Sequence, residues 1–205
     1  MLTAAAVVAS LLLVASRRDA IAELQLFAAG GWCPYSSSLD VAGDARLEPG
    51  ASGTWMVGAG WTFADHLAIV ARWQELQADL ATGAPRSFDG DLDVSSLNIG
   101  ARYALLDSAD VPRPWLELGG GWYHGSGELS RETGARDTSG DARERSFAAS
   151  ADAAGFTAAA GLELRLSPAL AVVVELRYHW AADLEYLTPL AGVRMDLGAA
   201  LVTRD

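Results

Sequence analysis

The stretch LAVVVELRYHW, residues 170–180, alternates between apolar side chains and small or polar ones, with Val173 as the exception. Successive side chains of a β-strand point to opposite faces, so a period of two is typical of a strand whose faces meet different surroundings. The even positions, from Leu170 to Trp180, are all apolar or aromatic, whereas the odd positions include Glu175 and Arg177. This stretch therefore predicts a strand that lies between an apolar and a polar environment.

The same alternation recurs in seven other stretches, and no segment after Ala22 has sustained helical periodicity. The other stretches are residues 24–32, 54–63, 67–74, 96–105, 116–123, 156–165 and 187–198. The connections between strands two and three, four and five, and six and seven are short, whereas those after strands one, three and five are long. Tight turns at one end and long loops at the other are typical of outer-membrane barrels. We therefore predict an all-β fold, a closed eight-stranded antiparallel up-and-down transmembrane β-barrel.

Aromatic residues are predicted to gather at the two ends of these strands, as they do at the two water interfaces of a bilayer. Five tryptophans fall at the ends that adjoin the long connections, and a second group of rings falls near the opposite rim. A soluble core would instead distribute its aromatic residues along the strand interiors. The predicted membrane-interface girdle comprises Trp32, Trp55, Trp61, Phe63, Trp73, Tyr103, Trp122, Tyr178 and Trp180.

The opposite face of the strands carries charged residues separated by glycine and alanine. An eight-stranded barrel is only wide enough for its interior to be filled by side chains. Buried charges are tolerated only when they are paired and hydrogen-bonded, so we expect a packed polar plug and not an aqueous channel. The predicted lumen network comprises Arg72, Arg102, Glu117, Glu163, Arg165, Glu175, Arg177, Arg194 and Asp196.

The N-terminal residues have the composition of an export signal. Residues 1–16 contain no charged side chain and are rich in alanine, valine and leucine, which suits the apolar region of a secretory signal. We predict a signal-peptide helix over residues 1–22, with an uncertain cleavage site, and a barrel domain over residues 23–205. Cleavage after Ser16 or after Ala22 would each suit the small-residue rule.

Charge and cysteine content exclude several classes of partner and cofactor. The formal net charge of −11 argues against a nucleic-acid partner, which would need a basic face. All fifteen cationic side chains are arginine, the residue best suited to bidentate pairing with carboxylates. Cys33 is the single cysteine, which excludes an internal disulfide framework and a cysteine-rich metal site. We expect no cofactor and no metal.

Residues 114–122, PWLELGGGW, and residues 189–197, PLAGVRMDL, resemble strands of the small OmpA/OmpX/OmpW-like outer-membrane barrels. The resemblance covers roughly residue 23 to the end. It implies a location in the outer membrane of a Gram-negative bacterium and insertion by the barrel-assembly machinery. The expected surroundings are outer-membrane lipid and lipopolysaccharide.

One candidate for catalysis is the pair His124 and Ser126, which share a face at the outer end of the fifth strand. Lipid A deacylases of the PagL kind are similar in using a His-x-Ser pair with an acid near the outer leaflet. A third group would have to orient the histidine, and Glu128, Glu132 and Glu144 are the candidates in sequence. We expect a rim histidine in a mobile loop and no enzymatic activity.

A second candidate site is the acidic run from Asp89 to Asp93, where three carboxylates alternate. Calcium is the ion that such a run suggests, but the EF-hand spacing fails because Val94 stands where glycine is needed. We interpret the run as a solvated acidic hairpin, with a weak divalent-ion site as the alternative.

The function that follows is that of a non-enzymatic, porin-like barrel of the cell envelope with a packed lumen, which displays three loops for adhesion, envelope integrity or surface interaction. The segment from Gly125 to Ala149 is predicted to be mobile and to form the main contact surface. Two alternatives stay open: a narrow channel for small or apolar solutes, and a lipid A deacylase-like hydrolase. The sequence does not identify the surface ligand.

Overall fold

A computed structural model of the protein describes residues 23–36, 39–41, 45–64, 66–82, 88–106, 112–131, 145–182 and 184–197. The predicted signal peptide, residues 1–22, lies outside these residues. Over the described part the chain forms ten β-strands. None of the described residues belongs to a helix of the length and apolar character needed to cross a membrane.

Eight of the ten strands are long and two are short. In chain order they are β1 Glu23–Trp32, β2 Tyr35–Ser36, β3 Leu39–Val41, β4 Ala45–Ala64, β5 Leu67–Thr82, β6 Phe88–Ala104, β7 Arg113–Arg131, β8 Arg145–Ser167, β9 Leu170–Ala181 and β10 Leu184–Asp196. Each predicted stretch lies on one of the eight long strands, apart from residue 105 and residues 197–198, which follow the ends of β6 and β10.

The long strands close into a barrel because β1 pairs with both β10 and β4. Every other long strand pairs antiparallel with its neighbours in the chain, which gives an up-and-down meander. The short strands β2 and β3 add to β10 and β4 outside this circuit. The predicted fold class, a closed eight-stranded antiparallel β-barrel, is confirmed.

The barrel wall is inside-out relative to a soluble protein. The side chains that face outward are apolar and exposed, with Leu118 70% and Ile99 53% accessible, whereas the interior holds arginine, glutamate and histidine. Exposed apolar surface on this scale would be unfavourable in water and is favourable in hydrocarbon. Closure is the matching requirement, since a bilayer offers no partner for the backbone of an open strand edge. The wall is therefore built to lie in lipid.

The strands extend further on one side than the sequence pattern predicts. Residues 76–82 and 88–95 lie in a predicted long connection, and residues 124–131 and 145–154 lie outside the stretches that alternate, yet all four segments continue as paired strands. With residues 45–52 of β4 they form a sheet, here called the extension, beyond the aromatic ends of the barrel. The prediction of a loop from Gly125 to Ala149 is therefore wrong for residues 125–131 and 145–149. Residues 76–82 and 88–95 keep the period of two, with Leu76, Ala78 and Val94 buried on the inward face, so the pattern itself extends further than the predicted strands. In residues 124–131 and 145–154 glycine, alanine and serine predominate, and the alternation is weaker.

Candidate functional site

The centre of the lumen holds a cluster of three arginines and two glutamates. Glu117 accepts hydrogen bonds from Arg72 (Nη2, 2.9 Å), Arg102 (Nε, 3.1 Å) and Arg177 (Nη2, 2.9 Å). Glu175 accepts from Arg177 Nε at 3.1 Å and from Arg72 Nη1 at 3.4 Å. All five side chains are buried, so the two carboxylates are shared among three cations and the cluster has a net charge of about +1 when fully ionised.

A second cluster lies nearer the periplasmic end. Arg194 donates to Glu163 and, at 2.7 Å, to Asp196. These three side chains are buried as well, and two carboxylates meet one cation. Arg165 was predicted to join the network, but it is exposed at the end of β8, next to the turn into β9. That prediction is corrected: Arg165 has the right parity, yet the strand leaves the packed interior before reaching it.

Two aromatic rings support the central arginines, and the sequence analysis did not select them. The Arg102 guanidinium carbon lies 3.9 Å from the ring centre of Trp115 and 4.7 Å from that of Phe27, while Arg72 lies 5.0 Å from Phe27. A ring face attracts a cation, and more so where water is excluded. Both rings share the parity of charged lumen positions, which is the signal that could have identified them. Gly161 makes room for Trp115, since a Cβ there would overlap the indole.

Uncharged polar groups fill the lumen above the central cluster. Gln74 donates to Thr54 at 3.1 Å and to Thr188 at 3.4 Å, and Asn98 donates to Ser96 at 3.0 Å. Each of these side chains is buried. Uncharged polar side chains therefore occupy this level of the lumen among the described residues.

An aromatic layer closes the outer end of the lumen. His179 is fully buried, and its Nδ1 is hydrogen-bonded to the Tyr123 hydroxyl at 3.0 Å. Its ring stacks on that of Tyr186, with the ring centres 4.2 Å apart. Tyr186 packs with Cys33 and Leu76 in a small apolar cluster. This layer separates the ionic clusters from the extension.

The predicted girdle residues point outward from the wall. Eight of them are exposed, and Trp61 is half-buried. On neighbouring strands Phe156 and Trp180 stack at 6.0 Å, and Trp122 lies opposite Ala154. Amphipathic rings at this level suit the boundary between acyl chains and headgroups.

Just beyond Trp122, His124 pairs with an acid that the sequence analysis did not consider. His124 lies opposite Asp152 in the β7–β8 register, and Nδ1 is 2.8 Å from the Asp152 Oδ1. The hydrogen bond from His124 lowers the pKa of the Asp152 carboxyl. The ionised carboxylate can only accept, so Nδ1 of His124 carries the hydrogen and donates it. Of the three predicted orienting groups, Glu132 and Glu144 lie outside the described residues, and for Glu128 only its backbone position in β7, opposite Ala148, is described. Ser126 lies two positions along β7 and faces Ser150 of β8.

The extension has one edge without a strand partner. β9 ends at Ala181 opposite Gly155, so residues 145–154 of β8 pair with β7 on one side, and within the described ranges no strand pairs with their other side. We call residues 145–154 the free edge. Edge strands in native proteins are commonly protected by lysine, proline or a bulge. The free edge contains no lysine and no proline, and seven of its ten residues are alanine or serine.

No cluster of His, Cys, Asp and Glu suited to a metal ion occurs among the residues the structure describes. The predicted acidic run lies on β6, where Asp91 and Asp93 are exposed. The side chain of Asp89 lies outside the described part.

No protein-family model matches this sequence, and a search of curated proteins finds no relative. Solved structures do share its fold. Ail, the attachment invasion locus protein of Yersinia pestis, crystallised with the heparin analogue sucrose octasulfate, is 13% identical with a TM-score of 0.51, over 85% of this chain and 97% of that one. Neisserial surface protein A is 16% identical with a TM-score of 0.51, over 85% and 96% of the two chains.

Identities this low establish the fold alone. Together with the apolar outer wall and the ionic interior, that fold is the eight-stranded transmembrane barrel of bacterial outer membranes. The predicted resemblance and outer-membrane location are thereby confirmed.

Proposed function

We propose that the protein is a closed, non-conducting outer-membrane barrel whose role, in surface attachment or envelope integrity, is carried by the extension. The observation that supports this most directly is the filled lumen. Eight buried charges, four arginines and four carboxylates, are joined by hydrogen bonds across the interior. A narrow channel for small or apolar solutes, the transport alternative, would need a path through these contacts.

Conductance of the purified protein in planar bilayers tests the closed barrel. We expect no openings above baseline over the range of voltages at which the bilayer alone is stable. A variant that unplugs the lumen, Arg177→Ala with Glu117→Ala, serves as the control that the assay can detect a pore in this fold. Regular openings of the unmodified protein would reject the closed barrel in favour of transport.

The free edge is the part of the extension best suited to bind a partner. An extended peptide can add to an exposed edge through backbone hydrogen bonds, with alternate side chains providing specificity. The exposed backbone runs over residues 145–154 and stands above the membrane level marked by Trp122 and Trp180. We therefore propose extended protein segments at the cell surface as its partners.

A pair of proline substitutions tests this role of the free edge. Successive N–H groups of a strand point to opposite sides in the plane of the sheet. Of Ser150→Pro and Ala151→Pro, one therefore removes a bond to β7 and lowers stability, while the other alters only the free edge. The measurement is attachment of bacteria displaying each variant to surfaces coated with extracellular-matrix protein. Full attachment by the variant that keeps its stability would exclude the free edge as the attachment surface.

The ligand seen with Ail is not expected to bind here. Sucrose octasulfate is a polyanion, and this chain has a formal net charge of −11. Repulsion at long range disfavours such a pair. We expect no retention on immobilised heparin at low salt, and salt-dependent retention would contradict this part of the proposal.

A hydrolase is the second candidate because of one contact. Asp152 holds Nδ1 of His124, which leaves Nε2 available as a base, and the hydroxyls of Ser126 and Ser150 lie on the same face two positions away. This is the order of groups that activates a serine nucleophile. Release of fatty acid from lipid A by purified protein, compared with Ser126→Ala and Ser150→Ala, tests it. Full activity in both variants, or none in the unmodified protein, would remove this candidate.

Export and insertion complete the proposal. We propose that residues 1–22 are removed as a signal peptide and that the barrel-assembly machinery inserts the remainder among lipid and lipopolysaccharide. The apolar N-terminal sequence and the closed wall support both steps. N-terminal sequencing of protein from isolated outer membranes would show residue 23, or residue 17, as the first residue. An N-terminus at Met1 would contradict cleavage.

A further inference from the structure

The two ionic clusters do not fill the periplasmic end of the lumen. A cavity of about 30 Å³ lies there, lined by residues of both clusters and of the neighbouring strands. Its lining includes Arg102, Arg113, Trp115, Glu163 and Arg194. A cavity of 10–15 Å³ already accommodates a water molecule, so this one has room for a single monatomic ion or about two waters.

The polar atoms without a partner in this lining are donors. Trp115 Nε1, Arg102 Nη1 and Arg194 Nε are buried and make no hydrogen bond among the described residues. All three residues are more than nine-tenths buried. Leaving a buried donor unpaired costs free energy, and more for a charged group, so a species that accepts several hydrogen bonds at once would be stabilised here.

The charges around the cavity also favour a species that accepts hydrogen bonds and is negatively charged. Arg102, Arg113 and Arg194 line the cavity together with the carboxylate of Glu163, and Arg194 also pairs with Asp196 outside the lining. Glu117, the main partner of Arg102, is shared with Arg72 and Arg177 and cannot neutralise all three. Water would bring two protons that need acceptors, whereas a small anion accepts from every donor and supplies the negative charge that the central cluster lacks.

We infer that this cavity is a binding site for a monovalent halide ion, coordinated by Arg102, Trp115 and Arg194 with Arg113 at its margin. The bound ion takes the place of a further carboxylate and completes the pairing of the lumen arginines. This site is independent of the extension and of the proposed surface role.

Chlorine-35 NMR of the folded protein in detergent tests the site, since chloride exchanging on and off a protein site broadens the bulk resonance. We expect excess broadening that bromide displaces at constant ionic strength. Arg113→Gln and Trp115→Phe should lose it; Arg113 is half-buried and outside both clusters, and phenylalanine keeps the ring while removing the N–H. Arg165→Gln removes the same charge from an exposed position nearby and should retain it.

A bromide-soaked crystal gives the second measurement, an anomalous peak within the cavity. Absence of excess broadening in the unmodified protein would mean that water fills the cavity and would overturn the inference. So would broadening that survives in both Arg113→Gln and Trp115→Phe. An equal loss of excess broadening in Arg165→Gln would show a general effect of charge and would overturn the inference as well.

Discussion

The barrel wall and the extension are made by the same strands, yet they follow different rules. Within the wall every residue faces either lipid or a packed lumen, so each position has one acceptable chemistry. In the extension the outward face meets water at Asp91, Asp93 and Asp152, the inward face buries side chains such as Leu76 and Val94, and the sheet keeps a free edge. The difference shows that the solvent, more than the backbone pairing, determines how strongly a strand position constrains its residue. Substitutions matched between the two regions test this contrast.

The largest expected effect is loss of the shared carboxylate in the lumen. Glu117→Gln leaves Arg72, Arg102 and Arg177 with Glu175 as their remaining acid in the central cluster. Breaking a buried ionic network in this way costs about 3–5 kcal/mol. Urea unfolding in lipid vesicles measures it, with Arg165→Gln as a control expected to change stability by less than about 0.5 kcal/mol. Equal midpoints for the two variants would mean that water solvates the lumen charges.

A charge on the lipid-facing wall should have the next largest effect. Leu118 is 70% exposed on the outer face of β7. Arginine near the middle of a bilayer costs about 2–4 kcal/mol in such barrels, so Leu118→Arg should lower the unfolding free energy in vesicles by that amount. Ser150→Arg places the same side chain on the extension and should be nearly neutral. Equal unfolding free energies for the two variants would contradict the proposed difference between the lipid-facing wall and the extension.

Alanine substitutions at two glycines, one in the lumen and one with open space around it, should have a smaller effect on stability. A Cβ at Gly161 would overlap Trp115, whereas a Cβ at Gly53 would meet no atom within 4 Å. Overpacking in a core costs about 1–3 kcal/mol, so Gly161→Ala should destabilise the barrel by that amount. Gly53→Ala should be neutral or stabilising by up to about 1 kcal/mol, because alanine loses less backbone entropy. A similar loss in both would show that the lumen around Trp115 adjusts freely.

The smallest expected effect is a change in the quenching of tryptophan fluorescence, with no change in stability required. Trp122 is 55% exposed on the wall, whereas Trp115 is 2% exposed in the lumen. Brominated lipid should therefore quench Trp122 and spare Trp115. Trp122→Phe is expected to lower the quenchable fraction of the fluorescence, and Trp115→Phe to raise it. The opposite order would place the assigned faces the wrong way round.

The inward or outward direction of the central strand residues could be predicted from the sequence because the period of two is local. Parity alone places Glu175 and Arg177 together inside, and Trp122 and Trp180 outside. It failed for Arg165, since parity does not say where along a strand the packed lumen ends. It also missed the extension: residues 76–82 and 88–95 keep the period of two, but parity alone does not say how far a paired strand continues.

The candidate site was harder to predict because its contacts join distant parts of the chain. Arg72 meets Glu117 across 45 positions and Glu175 across 103. His124 meets Asp152 across 28 positions, on a segment of β8 that precedes the predicted strand of residues 156–165. Without the extent and register of β8, an acid close in sequence such as Glu128 was the natural but unsupported choice.

The sequence by itself therefore determined the strand number, the two faces of the wall and the class of membrane protein, because these follow from the spacing of neighbouring residues. Only the tertiary structure decided which arginine shares which carboxylate, where the periplasmic cavity lies, and that β8 continues past β9 to leave a free edge. Those features depend on strand register and length, which are set by closure of the whole barrel and by packing of its interior.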